Sequence, residues 1–221
     1  MIRLAHPLLE TVIPFEDGFV PALVIENRRF FRSYLQDIFR QIEGSDGDAV
    51  LSRNMEPIPF SKNAELIDSH LSFTANRKTL LNRIVSALEQ KAVNEAYYLR
   101  TAQLMQEIER YFNELTEEYT AGLCCAKLNI GSLLKAVGIS TDDTAADLEQ
   151  YLDYMELVRE FDRDKVFIFV NLRSYYADEE LLPFLNTALT HEYRILLVEN
   201  QTYDLLPCEK RYIIDADLCE I

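Results

Sequence analysis

Basic residues gather where helices are expected to begin. In Asn27-Arg28-Arg29-Phe30-Phe31-Arg32, Arg28 and Arg32 stand one helical turn apart with Arg29 beside them. Arg77, Lys78 and Arg83 open a second helical stretch, and Arg53 and Lys62 flank a loop around Pro57 and Pro59. Guanidinium and ammonium groups so placed suit phosphate oxygens, which they hold without reading bases. The same pattern also describes an ordinary solvated helix face.

Other chemistry has less support. The six glycines, Gly18, Gly44, Gly47, Gly122, Gly131 and Gly138, build neither GxxxxGK[ST] nor GxGxxG, so a conventional nucleotide loop is not expected. His6, His70 and His191 lie far apart in sequence, outside HExxH, and no GxSxG elbow supports a nucleophilic serine. Cys124, Cys125, Cys208 and Cys219 form no CxxC pair. Neighbouring thiolates at 124 and 125 reach one tetrahedral ion poorly, so reduced, buried thiols are expected. The acidic groups include Glu117-Glu118, Asp142-Asp143, Asp162 with Asp164, and Asp178–Glu180. Those at 142–143 and 178–180 precede helices, where carboxylates favour the dipole.

The net charge of -15 opposes nucleic-acid binding when taken as a whole. Its distribution does not. Residues 1–91 hold 11 basic and 12 acidic side chains, whereas residues 92–221 hold 11 and 25. A near-neutral region can present a local basic face. Hydrophobic residues make up 48% of the 221, enough for a sizeable core. No apolar run reaches about 20 residues and the opening lacks a secretory pattern, so the cytoplasm is the expected location and no membrane partner is expected.

The elements that would position these residues follow from periodicity. Val20–Glu26 reads as a buried strand, and Asn27 caps a helix predicted over Arg28–Ile42 with Phe31, Leu35, Ile38, Phe39 and Ile42 at helical spacing. Ala49–Leu51 and Ala64–Ile67 are weaker strand candidates. Thr74 caps a predicted helix over about 75–91. Across 94–120, Tyr97, Thr101, Leu104, Ile108, Tyr111 and Leu115 recur at heptad-like spacing, with Tyr98, Met105, Phe112 and Tyr119 alongside. That helix would be about 40 Å long and is expected to project as a leg. Gly122 breaks it. A short helix over Ser132–Val137 ends at Gly138, and another runs from near Thr144 to Phe161, packing antiparallel on 94–120 through Leu148, Tyr151, Leu152, Met155 and Val158. Lys165–Asn171 and Arg194–Glu199 flank a helix from Asp178 to about Thr190, a βαβ unit with parallel strands. Arg211–Ile214 adds a final strand.

Three stretches together resemble a known family: HPLLETVIPFEDGFVPALVIEN at 6–27, LLKAVGISTDDTAADLEQYLDYMELVREFDRDKVFIFVN at 133–171, and LLPFLNTALTHEYRILLVENQTYDLLP at 181–207. The order resembles the accessory spacer-acquisition family of type II-A CRISPR systems, called Csn-two. The resemblance implies an α/β head with a mainly parallel sheet, related to P-loop ATPases but without their motifs, and an extended α-helical leg. The head is expected over 1–91 and 162–221, the leg over 92–161. It implies a non-enzymatic role in CRISPR adaptation, as a homotetrameric ring that holds double-stranded DNA ends without sequence specificity. The integrase complex and the guide-RNA effector nuclease are the protein partners implied.

On this reading Arg28, Arg29, Arg32, Arg53, Lys62, Arg77, Lys78 and Arg83 are the DNA-binding candidates, and no catalytic or metal residue is expected. Some members bind calcium through an acidic run after the long helix. Here only Glu118 matches an acidic position there, and Lys127 opposes a cation, so no cofactor is assigned. The alternative is a protein–protein adaptor built on the heptad-like leg, without DNA contact.

Overall fold

The computed structural model describes residues 1–16, 18–117, 119, 121, 123, 127–141 and 147–221. They form two compact units, Met1–Phe73 with Ala145–Ile221 and, separately, Thr74–Thr144. The readings that rest on Glu118, Gly122, Cys124, Cys125, Asp142, Asp143 and Thr144 lie outside the described residues.

In the first unit, β1 (Ile2–Ala5), β2 (Ile13–Phe15), β4 (Val50–Arg53) and β5 (Glu56–Pro57) form an antiparallel sheet in the order β2-β1-β4-β5. Ile2 pairs with Phe15 on one side and Arg53 on the other. The β4–β5 hairpin turns through Asn54 and Met55, both at positive φ. Of these strands only part of β4 is expected from the sequence; the rest are too short for their period to register.

The second sheet is parallel throughout. Its order is β6 (Ala64–Ile67), β7 (Val166–Val170), β8 (Arg194–Glu199), β3 (Val20–Ile25), β9 (Glu209–Ile214). Every pairing is parallel, with Ala64 opposite Val166, Val166 opposite Arg194 and Ala22 opposite Leu197. Strands covered on both faces read as continuous apolar runs, which is why VPALVI, VFIFV and RILLVE are legible as strands. Pro21 has no N–H, and the β3–β8 ladder starts just after it, at Ala22.

One sheet face presents Leu23, Ile25, Val166, Ile168, Leu196 and Val198 to α1 (Arg28–Ile42) and to the antiparallel sheet. α1 buries Phe30, Tyr34 and Ile38; of the apolar residues noted at helical spacing, Ile38 is in this row and Phe31, Leu35 and Ile42 pack partly buried against the core. Phe31 and Leu35 are half-buried, and Phe39 is 53% exposed. α2 (Phe60–Asn63) packs beside α1 and leads into β6.

The opposite face presents Phe167 and Phe169 to α6 (Asp147–Arg159) and α7 (Asp178–Thr190). Tyr151 meets Phe169 at 5.1 Å and Phe184 at 6.3 Å between ring centroids, and Tyr154 meets Phe167 at 6.3 Å. This cover differs from the expected packing of the segment on 94–120. Helical spacing marks an apolar face without choosing its partner, and an aromatic sheet face satisfies Tyr151, Tyr154, Met155 and Val158. The β7–α7–β8 unit is parallel and adjacent, as expected.

The second unit contains α3 (Lys78–Ala92), α4 (Tyr98–Thr116) and α5 (Ile130–Val137). α3 and α5 pack where Gly131 lies against the Glu89 side chain; a Cβ there would collide with it. α5 ends at Gly138, φ 72°, the left-handed cap its sequence suggests. α4 has 19 residues, about 28 Å, and is shorter than expected because Asn94 turns the chain, its side chain accepting from the amides of Ala96 and Tyr97. No α4 residue is buried. Among the described residues no helix is long and apolar enough to cross a membrane.

Candidate nucleic-acid interface

The first basic group stands on a rigid support. β3 ends at Ile25, and only Glu26 and Asn27 separate it from α1. The Asn27 side chain accepts from the amides of Arg29 (3.1 Å) and Phe30 (3.0 Å) and donates to the Ala216 carbonyl at 2.8 Å. The cap thus fixes the helix start to the segment after β9. Arg28 and Arg29 project from this first turn and Arg32 from the next, all exposed, their side chains without an ion pair among the described residues. No acidic residue shares the turn. Cations at a helix N-terminus oppose its dipole, so the arrangement is unfavourable until an anion arrives.

Arg53 is differently placed. It pairs with Asp164 at 3.1 Å and donates to Asn63 at 3.3 Å, and Asp164 also takes Arg194 at 2.9 Å. With Arg53 and Asp164 both partly exposed, the pair is worth less than about 1 kcal/mol, but it occupies the guanidinium. Lys62 is exposed on α2, beside α1, with a free ammonium among the described residues.

Arg77, Lys78 and Arg83 belong to the second unit, at the start of α3. Arg77 is the N-cap residue, without a side-chain cap, and again the first turn holds no acid. Thr74, expected as the cap, instead accepts from the Asn76 amide at 3.0 Å. Asn76 in turn accepts from the amide and hydroxyl of Thr141, 2.7 and 2.9 Å, which ties the start of α3 to the segment after α5. The eight candidates therefore divide between the two units, five in the first and three in the second.

A buried polar cluster was not singled out from the sequence. After β7, Asn171 turns at φ 54° and presents Arg173 beneath the sheet edge. Arg173 donates to Glu209 at 2.9 Å and to Asp178 at 2.7 Å, its backbone amide donates to Glu199 at 3.2 Å, and its guanidinium lies 5.0 Å over the Tyr203 ring. Burial pushes the Glu199 carboxyl up to about 7 and raises Glu209 as well. This cluster pins the 200–208 connection, with Arg173 and Glu209 buried and Asp178 at its exposed rim. The one signal for it is a carboxylate closing the apolar run RILLVE.

His70 is buried too. The Val170 carbonyl can only accept, so Nε2 carries the proton and donates at 2.7 Å, and Nδ1 accepts the Tyr151 hydroxyl at 2.8 Å. Burial lowers its pKa. Both ring nitrogens are used, which leaves nothing for a metal. Among the described residues no three His, Cys, Asp or Glu side chains are grouped to hold an ion.

Residues 41–218 match the family model of the CRISPR-associated protein Cas_Csn2. The chain belongs to that family. No curated protein matches the sequence. Among solved structures the chain is similar to the recombination mediator protein RecF-ATP of the RecFOR pathway, with 10% identity, 97% of this chain and 96% of that chain covered and a TM-score of 0.39, too slight a likeness to carry an argument. For this Cas_Csn2 member, the frame is a mixed α/β unit with a parallel five-stranded sheet, in a CRISPR-associated setting.

Proposed function

We propose that this Cas_Csn2 protein binds the ends of double-stranded DNA without sequence preference, as a non-enzymatic accessory of CRISPR adaptation working as a homotetrameric ring. The carrying observation is the first turn of α1. Arg28 and Arg29 stand there exposed, with Arg32 one turn further on, without ion pairs among the described residues and without an acid in the first turn. Phosphates would supply the missing anion, and no base-reading geometry is needed. Lys62, Arg77, Lys78 and Arg83 extend the proposed contact, and Arg53 joins it only by leaving Asp164.

The two-residue link between β3 and α1 supports a binding role rather than nucleotide chemistry. It has no glycine and no room for a phosphate-cradling loop, as a degenerate P-loop head would require. The parallel sheet of the first unit is the proposed head, and α4 of the second unit belongs to the proposed leg. From Tyr97 along α4 the exposed Tyr97, Leu104, Tyr111 and Leu115 give subunits an apolar seam for assembly, and the partners are duplex DNA and other adaptation proteins. That same seam favours a second reading, an adaptor without DNA contact.

Binding of a linear duplex and of the same duplex closed covalently into a circle, across a salt series, tests the proposal. Preference for the linear form with a steep salt slope is expected. Equal affinity for both would remove end binding, and no binding at low salt would leave the adaptor.

A further inference from the structure

The amino edge of the parallel sheet carries a second set of cations. Ala64, Val166 and Arg194 stand in register across β6, β7 and β8. Lys62 precedes β6 by two residues, and Arg163 and Lys165 lie in the turn that enters β7. Contacts tie them into one group. Asp164 takes Arg53 at 3.1 Å and Arg194 at 2.9 Å. Arg194 also donates to the Arg163 carbonyl at 3.1 Å, and the Lys165 ammonium donates to the Lys62 carbonyl at 3.1 Å. One carboxylate thus serves two guanidiniums, while Lys62 and Arg163 are exposed, their side chains without ion pairs among the described residues. Only Arg53 and Lys62 were singled out from the sequence.

Cations gathered this closely repel one another, and one shared carboxylate does not balance them. A polyanion does. Neighbouring strands lie about 4.8 Å apart, so the row spans about 10 Å, a length over which a duplex carries about six phosphate charges. α1 starts at the carboxyl edge, beyond the other end of the strands, so this group is separate from Arg28 and Arg29. On the reading that the protein binds duplex ends, we infer that the amino edge is a second phosphate contact, made by Lys62, Arg163 and Lys165, with Asp164 as an internal competitor that phosphate displaces from Arg53 and Arg194. A pair of phosphate oxygens offers the guanidinium fork what the carboxylate offers, so the exchange costs neither arginine its partner.

Salt-series binding of a linear duplex to the full chain and its variants tests this. Arg163→Gln with Lys165→Gln should lower affinity and lessen the slope of log affinity against log salt by about two. Asp164→Asn should do the reverse, raising affinity about threefold or more by freeing two guanidiniums. Asp153→Asn, which removes an exposed acid on α6, should change neither quantity. Urea unfolding checks each fold, and if the double variant unfolds, Arg163→Gln alone decides with a slope change of about one. A wild type that binds steeply while the arginine and lysine variants match it, or while Asp164→Asn binds more weakly, would overturn this inference and leave the end-binding reading standing. Absence of any wild-type binding at low salt would defeat both. Polyglutamate held more tightly than duplex at equal salt would assign the edge to an acidic protein and overturn the inference as well.

Discussion

Arg173 donates through Nη1 to Glu209 Oε2 at 2.9 Å, and both side chains are shut away from solvent. Glu209 opens β9 and Arg173 follows β7, so this bond ties the segment after β7 to the start of β9, two strands beyond its neighbour β8 in the sheet. Removing the cation strands a buried carboxylate. Arg173→Ala should lose about 3–5 kcal/mol in urea unfolding. Arg173→Met with Glu209→Gln should recover much of that loss. A double variant no better than the single would mean that packing of the guanidinium on Tyr203 carries the stability instead.

Glu199 gives this cluster a pH signature. Its folded pKa of about 7 lies above the ordinary 4.5, so between these values the folded state binds more protons than the unfolded state. Its contribution is present at low pH and is lost as pH rises through about 7, on the order of 3 kcal/mol. Glu199→Gln mimics the protonated acid and should flatten the slope of stability against pH between about 4.5 and 7, with little change at the acid end. An unchanged slope would show that the carboxyl ionises normally.

His70 works in the opposite direction. Its pKa is lowered by burial, so the unfolded state takes the proton first and stability falls as pH drops through the ordinary value of 6.5. Tyr151→Phe leaves Nδ1 without its donor and should cost about 1–3 kcal/mol by thermal or urea unfolding. In His70→Gln the acid-side loss due to this group should vanish. Persistence of the full loss would assign it to His6, whose pKa burial also lowers.

The sequence reading reached what local pattern controls. α1 runs over the expected Arg28–Ile42 because Asn27 caps it and Gly44, at φ 93°, turns the chain just beyond. The parallel strands were legible because burial on both faces removes polar residues. Partner choice was not legible. The spacing of Tyr151 and Met155 does not say whether a sheet or a helix will cover them, and nothing near Arg53 announces Asp164. In the candidate interface, basic residues at two helix starts were visible, while the missing first-turn acids acquire meaning only with the helix bounds fixed at Arg28 and Lys78.

Those bounds lead to a prediction in which stability and binding move in opposite directions. Arg28 and Arg29 oppose the α1 dipole in the free protein, so replacing them by Glu should stabilise the fold by about 0.3–1 kcal/mol for each site. The same changes remove cations that meet phosphates. Duplex affinity should fall and the slope of log affinity against log salt should lessen by about two, close to one for each lost contact. Lys78→Glu at the start of α3 should show the same pairing of signs, with a slope change of about one. Unfolding curves and salt-series binding on the same preparations separate the two effects. Variants that become more stable yet keep the full salt slope would mean that the DNA passes elsewhere on the protein. Variants that lose both stability and binding would show these arginines to be structural, and the interface would have to be sought away from the helix starts.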